Sequence, residues 1–243
     1  MEFLAYFIKS NYAILYKSVE ILAALTGIFL LRKYKQDLAA KLFIFFLIYV
    51  NLIETIGSYP RLIKKNEDLF WIKDLLNNTV FYNNFWWYSL TWTIGSSLFY
   101  SIYFSKVLKS KRLKLIVKRV TSVLILIQIV LYIFKFNTFM SDSITEINLI
   151  QLTLIMFVTS VYFIELINSD AITTFYRSLS FYIATAAFVF IIIQTPLDFY
   201  QNYYNSKDDN FVILNRIVRL FSIMFMYLMY TIGLIVSKPE IEK

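Results

Sequence analysis

Seven stretches of this chain are nearly unbroken runs of apolar side chains, at approximately residues 12–31, 39–58, 85–107, 114–136, 147–167, 179–199 and 211–236. A hydrocarbon core of about 30 Å is crossed by about 20 residues of helix, so each run is long enough to span it. Inside lipid no water is present to bond the backbone, and every N–H and C=O must be paired within the segment or around a closed barrel. Barrel strands alternate apolar and polar residues over about ten positions; these runs do not alternate. The pattern predicts an all-α, polytopic membrane protein: a single seven-helix bundle over 1–243 with no separate soluble domain.

Composition narrows the chemistry. Hydrophobic residues make up 59% of the chain and charged ones 16%, against roughly 25% charged in a soluble domain. A water-soluble globule of this length could not hide that much apolar surface in one core. The chain has no His and no Cys. That removes the usual ligands of zinc and iron–sulfur sites, thiol nucleophiles and Ser-His-Asp triads. No catalytic motif is found, so a non-enzymatic protein without cofactor or metal is expected.

Orientation follows from Lys and Arg in short loops. Arg32, Lys33, Lys35 and Lys41 follow the first run, and Lys106, Lys109, Lys111, Arg112, Lys114, Lys118 and Arg119 follow the third. Loop 137–146 has no basic residue, and 200–210 has only Lys207. The bias predicts the N-terminus outside and the C-terminus inside a bacterial cytoplasmic membrane. Residues 3–8 read as a short interfacial piece ahead of the first span, and the apolar-rich outer loop 59–84 as an interfacial helix or a lid. The basic loop is a topology signal that anionic headgroups also suit; its sharper reading is a dock for an acidic cytoplasmic or membrane protein partner. Nucleic acid is not expected, and a homo-oligomer fits the pattern.

Ionisable groups inside a span are costly unless paired or hydrated, which makes them the best functional pointers here. Glu20 falls mid-span with Lys17 three residues before it. Glu54 has Asn51 one turn earlier. Asp198 follows Pro196, and Arg216 and Arg219 stand beside Asn215. Spacings of three place each pair on one helix face, and all fall in the outer half. Two readings stay open. One is a set of pairs that fixes helix register, with Lys17 and Asp198 snorkelling. The other is an outward polar cavity, walled by Trp86, Trp92 and the outer loop, with Arg216 or Arg219 holding an anion and Glu20 or Glu54 carrying a proton. On the inner side, Glu165 is expected to pair with Arg119 or Lys118. Gly95-Ser96-Ser97 and Ala184, Ala186 and Ala187 are small-residue packing cues.

The seventh run lacks the Lys of microbial rhodopsins, and neither the third nor the seventh carries the motifs of G-protein-coupled receptors. Asn83-Asn84 with Trp86 and Tyr88, then Phe99-Tyr100 and Tyr103, Phe163 with Glu165, Phe181-Tyr182 and Asn215 give a chain that resembles small seven-helix integral membrane proteins of Bacteroidota, over about residues 80–236. That resemblance implies a membrane bundle, no assigned activity and no catalytic residues. The residues themselves point to a sensory or interaction module that reads the outer face and signals to a partner. A small transporter or an oligomeric pore or membrane effector is the alternative.

Overall fold

A computed structural model of the chain describes residues 2–142, 144–200 and 209–240, with side-chain surroundings for 11–142, 144–199 and 212–240. The expected loop residue Lys207 lies outside them. The described residues are helical, with no strand among them. The first helix, α1 (Glu2–Leu30), runs without a break, so residues 3–8 continue it and do not form a separate interfacial piece. A turn leads to α2 (Leu38–Gly57), capped by Asp37, whose side chain accepts the Ala40 amide at 2.8 Å. α3 (Tyr59–Lys65) follows directly. The break at Ser58 has a local cause: Pro60 has no N–H to donate to the preceding turn and crowds the carbonyl four residues back. A 3-10 turn and α4 (Phe70–Leu76) follow, neither with a buried side chain.

The bundle continues with α5 (Phe85–Val107), α6 (Lys111–Phe134), the short α7 (Phe136–Ser141), α8 (Thr145–Ile167), α9 (Leu179–Tyr200) and α10 (Asp209–Val236). α1, α2, α5, α8, α9 and α10 form a closed ring in which each helix packs on the next, and α6 sits outside it against α5 and α8. Pro196 lies inside α9 without ending it, so Asp198 remains on the helix.

The interior is aromatic. Phe46 and Phe99 stack with ring centroids 3.7 Å apart, Phe43 meets Tyr230 edge-on at 5.0 Å, and Tyr103 and Phe104 extend the column along α5. Ala184, Ala186 and Ala187 are buried within the packing of α9 and not turned outward. Large apolar side chains also cover the outside: Phe134 is 82% and Phe29 80% exposed, and Ile14, Leu126 and Ile133 follow. Water around so much apolar surface is unfavourable, whereas lipid tails match it.

Six helical stretches are long and apolar enough to cross a membrane: Asn11–Leu30, Leu38–Lys65, Lys111–Phe134, Thr145–Ile167, Leu179–Phe199 and Val212–Val236. The protein is therefore a multi-pass helical membrane protein. The seventh expected run, α5, falls outside this set. Its 23 residues reach about 34 Å at helical rise, but Thr91, Thr93, Ser96, Ser97 and Ser101 lower its hydropathy. Thr93, Ser96, Ser97 and Ser101 are buried inside the bundle. A polar face turned towards other helices removes apolar character from the sequence without exposing it to lipid.

Candidate functional site

The bundle has two unlike ends. One gathers residues 57–84, the α6–α8 connection and the start of α10. The other gathers the α1–α2 turn, the α5–α6 junction, the start of α9 and the end of α10. The candidate charges cluster towards the first, loop-rich end.

On α1, Lys17 and Glu20 form an ion pair at 2.9 Å, with the Glu20 side chain 4% exposed. Their spacing puts both on one face, and the low dielectric makes an unpaired carboxylate there expensive. Lys17 Nζ also donates to the Asn51 carbonyl at 3.3 Å, and Asn51 Nδ2 returns a bond to the Glu20 carbonyl at 3.0 Å. Lys17, Glu20 and Asn51 thus brace α1 against α2. The Tyr227 hydroxyl of α10, fully within the bundle, adjoins the Glu20 carboxylate.

One turn along α2, Glu54 accepts a hydrogen bond from the Tyr88 hydroxyl of α5 at 2.5 Å. Gly57 makes this possible. A Cβ at that position would lie 2.6 Å from the Tyr88 ring, and the Gly57 carbonyl accepts from Asn84 Nδ2 at 2.5 Å. Trp92 stacks on Tyr88 at 6.5 Å with the rings nearly parallel.

A second ion pair joins α9 and α10, with Arg219 donating to Asp198 at 2.7 Å. Tyr12 and Tyr16 of α1, with rings 5.6 Å apart, lie within electrostatic reach of both groups, Tyr12 of Arg219, Arg216 and Glu54 and Tyr16 of Glu54 and Glu20. The candidate charges are therefore divided among separate partners and do not line one cavity. Glu20 is neutralised by Lys17, Asp198 by Arg219, and Glu54 is held by a phenol. Lys17 does not snorkel. Arg216 is exposed and makes no ion pair among the described residues, and Asn215 beside it is half-exposed.

A surface recess near this end is lined by Asn77, Asn78, Thr79, Val80, Tyr82, Asn83 and Met140. None of the charged cluster lines it. Trp86 pins the loop beside it by donating to the Val80 carbonyl at 3.0 Å. Asn78 has φ 66°, a left-handed conformation that Asn tolerates.

At the opposite end the expected Arg119–Glu165 pair is not formed. Both Glu165 oxygens accept backbone amides, from Lys109 at 2.6 Å and Ser110 at 2.9 Å. Arg119 lies nine residues further along α6, about 13 Å up its axis, and is exposed. A carboxylate at a helix N-terminus satisfies amides that have no intrahelical partner, which is a better use of Glu165. Lys118 is exposed and forms no ion pair among the described residues either. Lys106, Lys109, Lys111 and Arg112 are exposed and Lys114 half-exposed, with none in an ion pair among the described residues. An ion pair that sequence reading did not pick out, Lys135–Glu146 at 2.5 Å, ties α6 to α8.

The end of α10 is clasped from the α1–α2 turn. Lys33 Nζ donates to the carbonyls of Leu234 at 3.0 Å and Ile235 at 2.8 Å, and the Tyr34 hydroxyl to Leu234 at 2.8 Å. These carbonyls are the unsatisfied last turn of the helix, and a cation there also meets the negative end of its dipole. Burial pushes the Lys33 ammonium below the usual lysine range and the Tyr34 phenol above the usual tyrosine range.

Sequence reading did not mark Tyr88 as the partner of Glu54 and passed over Tyr12, Tyr16 and Tyr227. A tyrosine among 19 carries no signal until its hydroxyl is placed. Missed too was a hydroxyl stripe on α5, although its spacing of four is legible: Ser89, Thr93, Ser97, Ser101 and Ser105. No family model, curated protein or solved structure matches this chain.

Proposed function

We propose that the chain is a seven-crossing, non-enzymatic module of a bacterial cytoplasmic membrane, N-terminus outside, that senses at its outer face and signals to a protein partner at its inner face. The observation that carries this reading is the outer network of Glu20, Lys17, Asn51, Glu54 and Tyr88. It joins α1, α2 and α5 through polar contacts that sit among apolar helices. Removing or protonating one member leaves its partner unsatisfied, so the packing of three helices responds to a change at that end. At the other end, the exposed Lys106, Lys109, Lys111 and Arg112 form a surface for an acidic partner.

The full-length α5 supports the seventh crossing. Asn84 at its start bonds Gly57 at the loop-rich end, and Lys109 just past its end bonds Glu165 at the basic end. The transport alternative draws on Arg216, exposed and without an ion pair among the described residues.

The test is affinity capture of the full chain from solubilised membranes, with Lys109, Lys111 and Arg112 changed to Gln in parallel. A specific partner lost in the triple variant supports the signalling reading. Anion or proton flux into liposomes that depends on Glu54 and Arg216, with no such partner, overturns it in favour of transport.

A further inference from the structure

The face of α5 that meets α6 carries a hydroxyl every four residues, and the two helices run antiparallel. Two levels of this seam are bonded. Ser101 donates to Thr121 at 2.8 Å, and Tyr132 meets Thr93 at 2.6 Å and Ser89 at 3.1 Å. Between those levels stand Ser97 on α5 and Gln128 on α6. Ser97 is four residues from both Thr93 and Ser101. Gln128 belongs to the same buried stripe of α6 as Thr121 and Tyr132. A helical side chain leans towards its own N-terminus, which carries the Gln128 amide back to the level of Ser97.

Both side chains have zero exposure. Yet Ser97 Oγ, Gln128 Oε1 and Gln128 Nε2 have no hydrogen-bond partner. Buried polar atoms are rarely left unpaired, because each costs the desolvation of a donor or acceptor. Nearby Ser96 faces the other way, towards α8, and is satisfied by Gln151 and the Trp92 carbonyl. At this level of α5 the unpaired atoms therefore belong to the α5–α6 side, apart from those of Ser105 further along α5 and of Thr185, Gln194 and Thr195 on α9.

We propose that the α5–α6 seam binds water at mid-depth, with the Ser97 hydroxyl and the Gln128 amide as its ligands. The ligand chemistry follows from the atoms. Gln128 offers an acceptor and a donor, and the serine hydroxyl offers either. A bare cation would satisfy only the oxygens and leave the NH2 unpaired; an anion would do the reverse. Water both donates and accepts, and a buried water typically makes about three such bonds. The site completes the row of polar contacts from Ser89 to Ser101 and is independent of the outer charge network.

The experiment uses the full chain in lipid nanodiscs with 15N-labelled glutamine and water-edited NMR. Gln128→Met keeps the side-chain volume and identifies the Gln128 resonance; sequential assignment serves if that variant does not fold. Magnetisation transfer from water to the Gln128 NH2, weakened in Ser97→Ala, is the expected result. Absence of that transfer, with a direct contact from the Gln128 NH2 to the Ser97 side chain, overturns the proposal. A Gln128 signal that shifts on exchanging Na+ for K+ overturns it in favour of a cation.

Discussion

Asp37 and Glu240, 203 residues apart, are joined by a hydrogen bond from the Glu240 amide to Asp37 Oδ2 at 2.8 Å. The other oxygen of Asp37 caps α2. One carboxylate therefore fixes the start of the second helix and the chain beyond the last. Lys238 adds a bond from its amide to the Arg177 carbonyl at 2.9 Å, and Ser178 donates to Glu240 at 2.8 Å. The turns before α2 and α9 are thereby tied to the end of α10.

Replacing Asp37 with Ala should lower stability by at least the loss of an N-cap, about 1 kcal/mol, and loosen residues 237–240. Thermal unfolding in detergent reads the first effect. Hydrogen exchange at the Lys238 and Glu240 amides, faster in the variant than in the parent, reads the second.

The Lys17–Glu20 pair should behave as a unit. Lys17→Met alone leaves a buried carboxylate without its cation and should cost about 3–5 kcal/mol. The double change Lys17→Met with Glu20→Met should recover most of that loss, because neither charge then remains. A double-mutant cycle by chemical denaturation measures the coupling; additive effects would contradict the pairing.

Gly57→Ala should displace the Tyr88 ring, since the new Cβ would sit 2.6 Å from it. Tyr88→Phe removes the hydroxyl alone and should cost about 1.5–3 kcal/mol, as for a hydrogen bond to a charged acceptor. Both variants should lower the melting temperature. Only Gly57→Ala should also shift Trp92 fluorescence, because Trp92 stacks on the Tyr88 ring and not on its hydroxyl.

Glu165→Gln should cost about 1 kcal/mol, because a neutral amide holds the α6 N-terminal amides less well than a carboxylate does. Arg119→Gln should change the melting temperature little. Equal effects would restore the ion pair between these residues that the sequence suggests.

The absence of cysteine makes topology directly measurable. Single cysteines at Asn78 and Lys109 should react with an impermeant maleimide from opposite sides of the membrane, Asn78 from outside. Reaction from the same side would remove α5 as a crossing helix.

Helix class, lipid as the surrounding medium and the approximate bounds of six spans were legible in the sequence, because apolar run length reports directly on the thickness of the hydrocarbon. So was the shared face of Lys17 and Glu20, which depends only on spacing along one helix, though not that Lys17 turns inward to pair and does not snorkel. The expected partnership of Glu165 with Arg119 was misread for the opposite reason: it required the relative height of two helices, and a backbone amide is invisible to a search for opposite charges. Likewise, that Arg219 and not Arg216 would meet Asp198 depended on how α10 is rotated against α9. Glu54 found a tyrosine on α5 that no charge pattern marks. Length and hydropathy are properties of a segment and travel with the sequence. Which hydroxyl, amide or carboxylate answers each buried polar group depends on how helices rotate and slide against one another, and tertiary packing alone sets that.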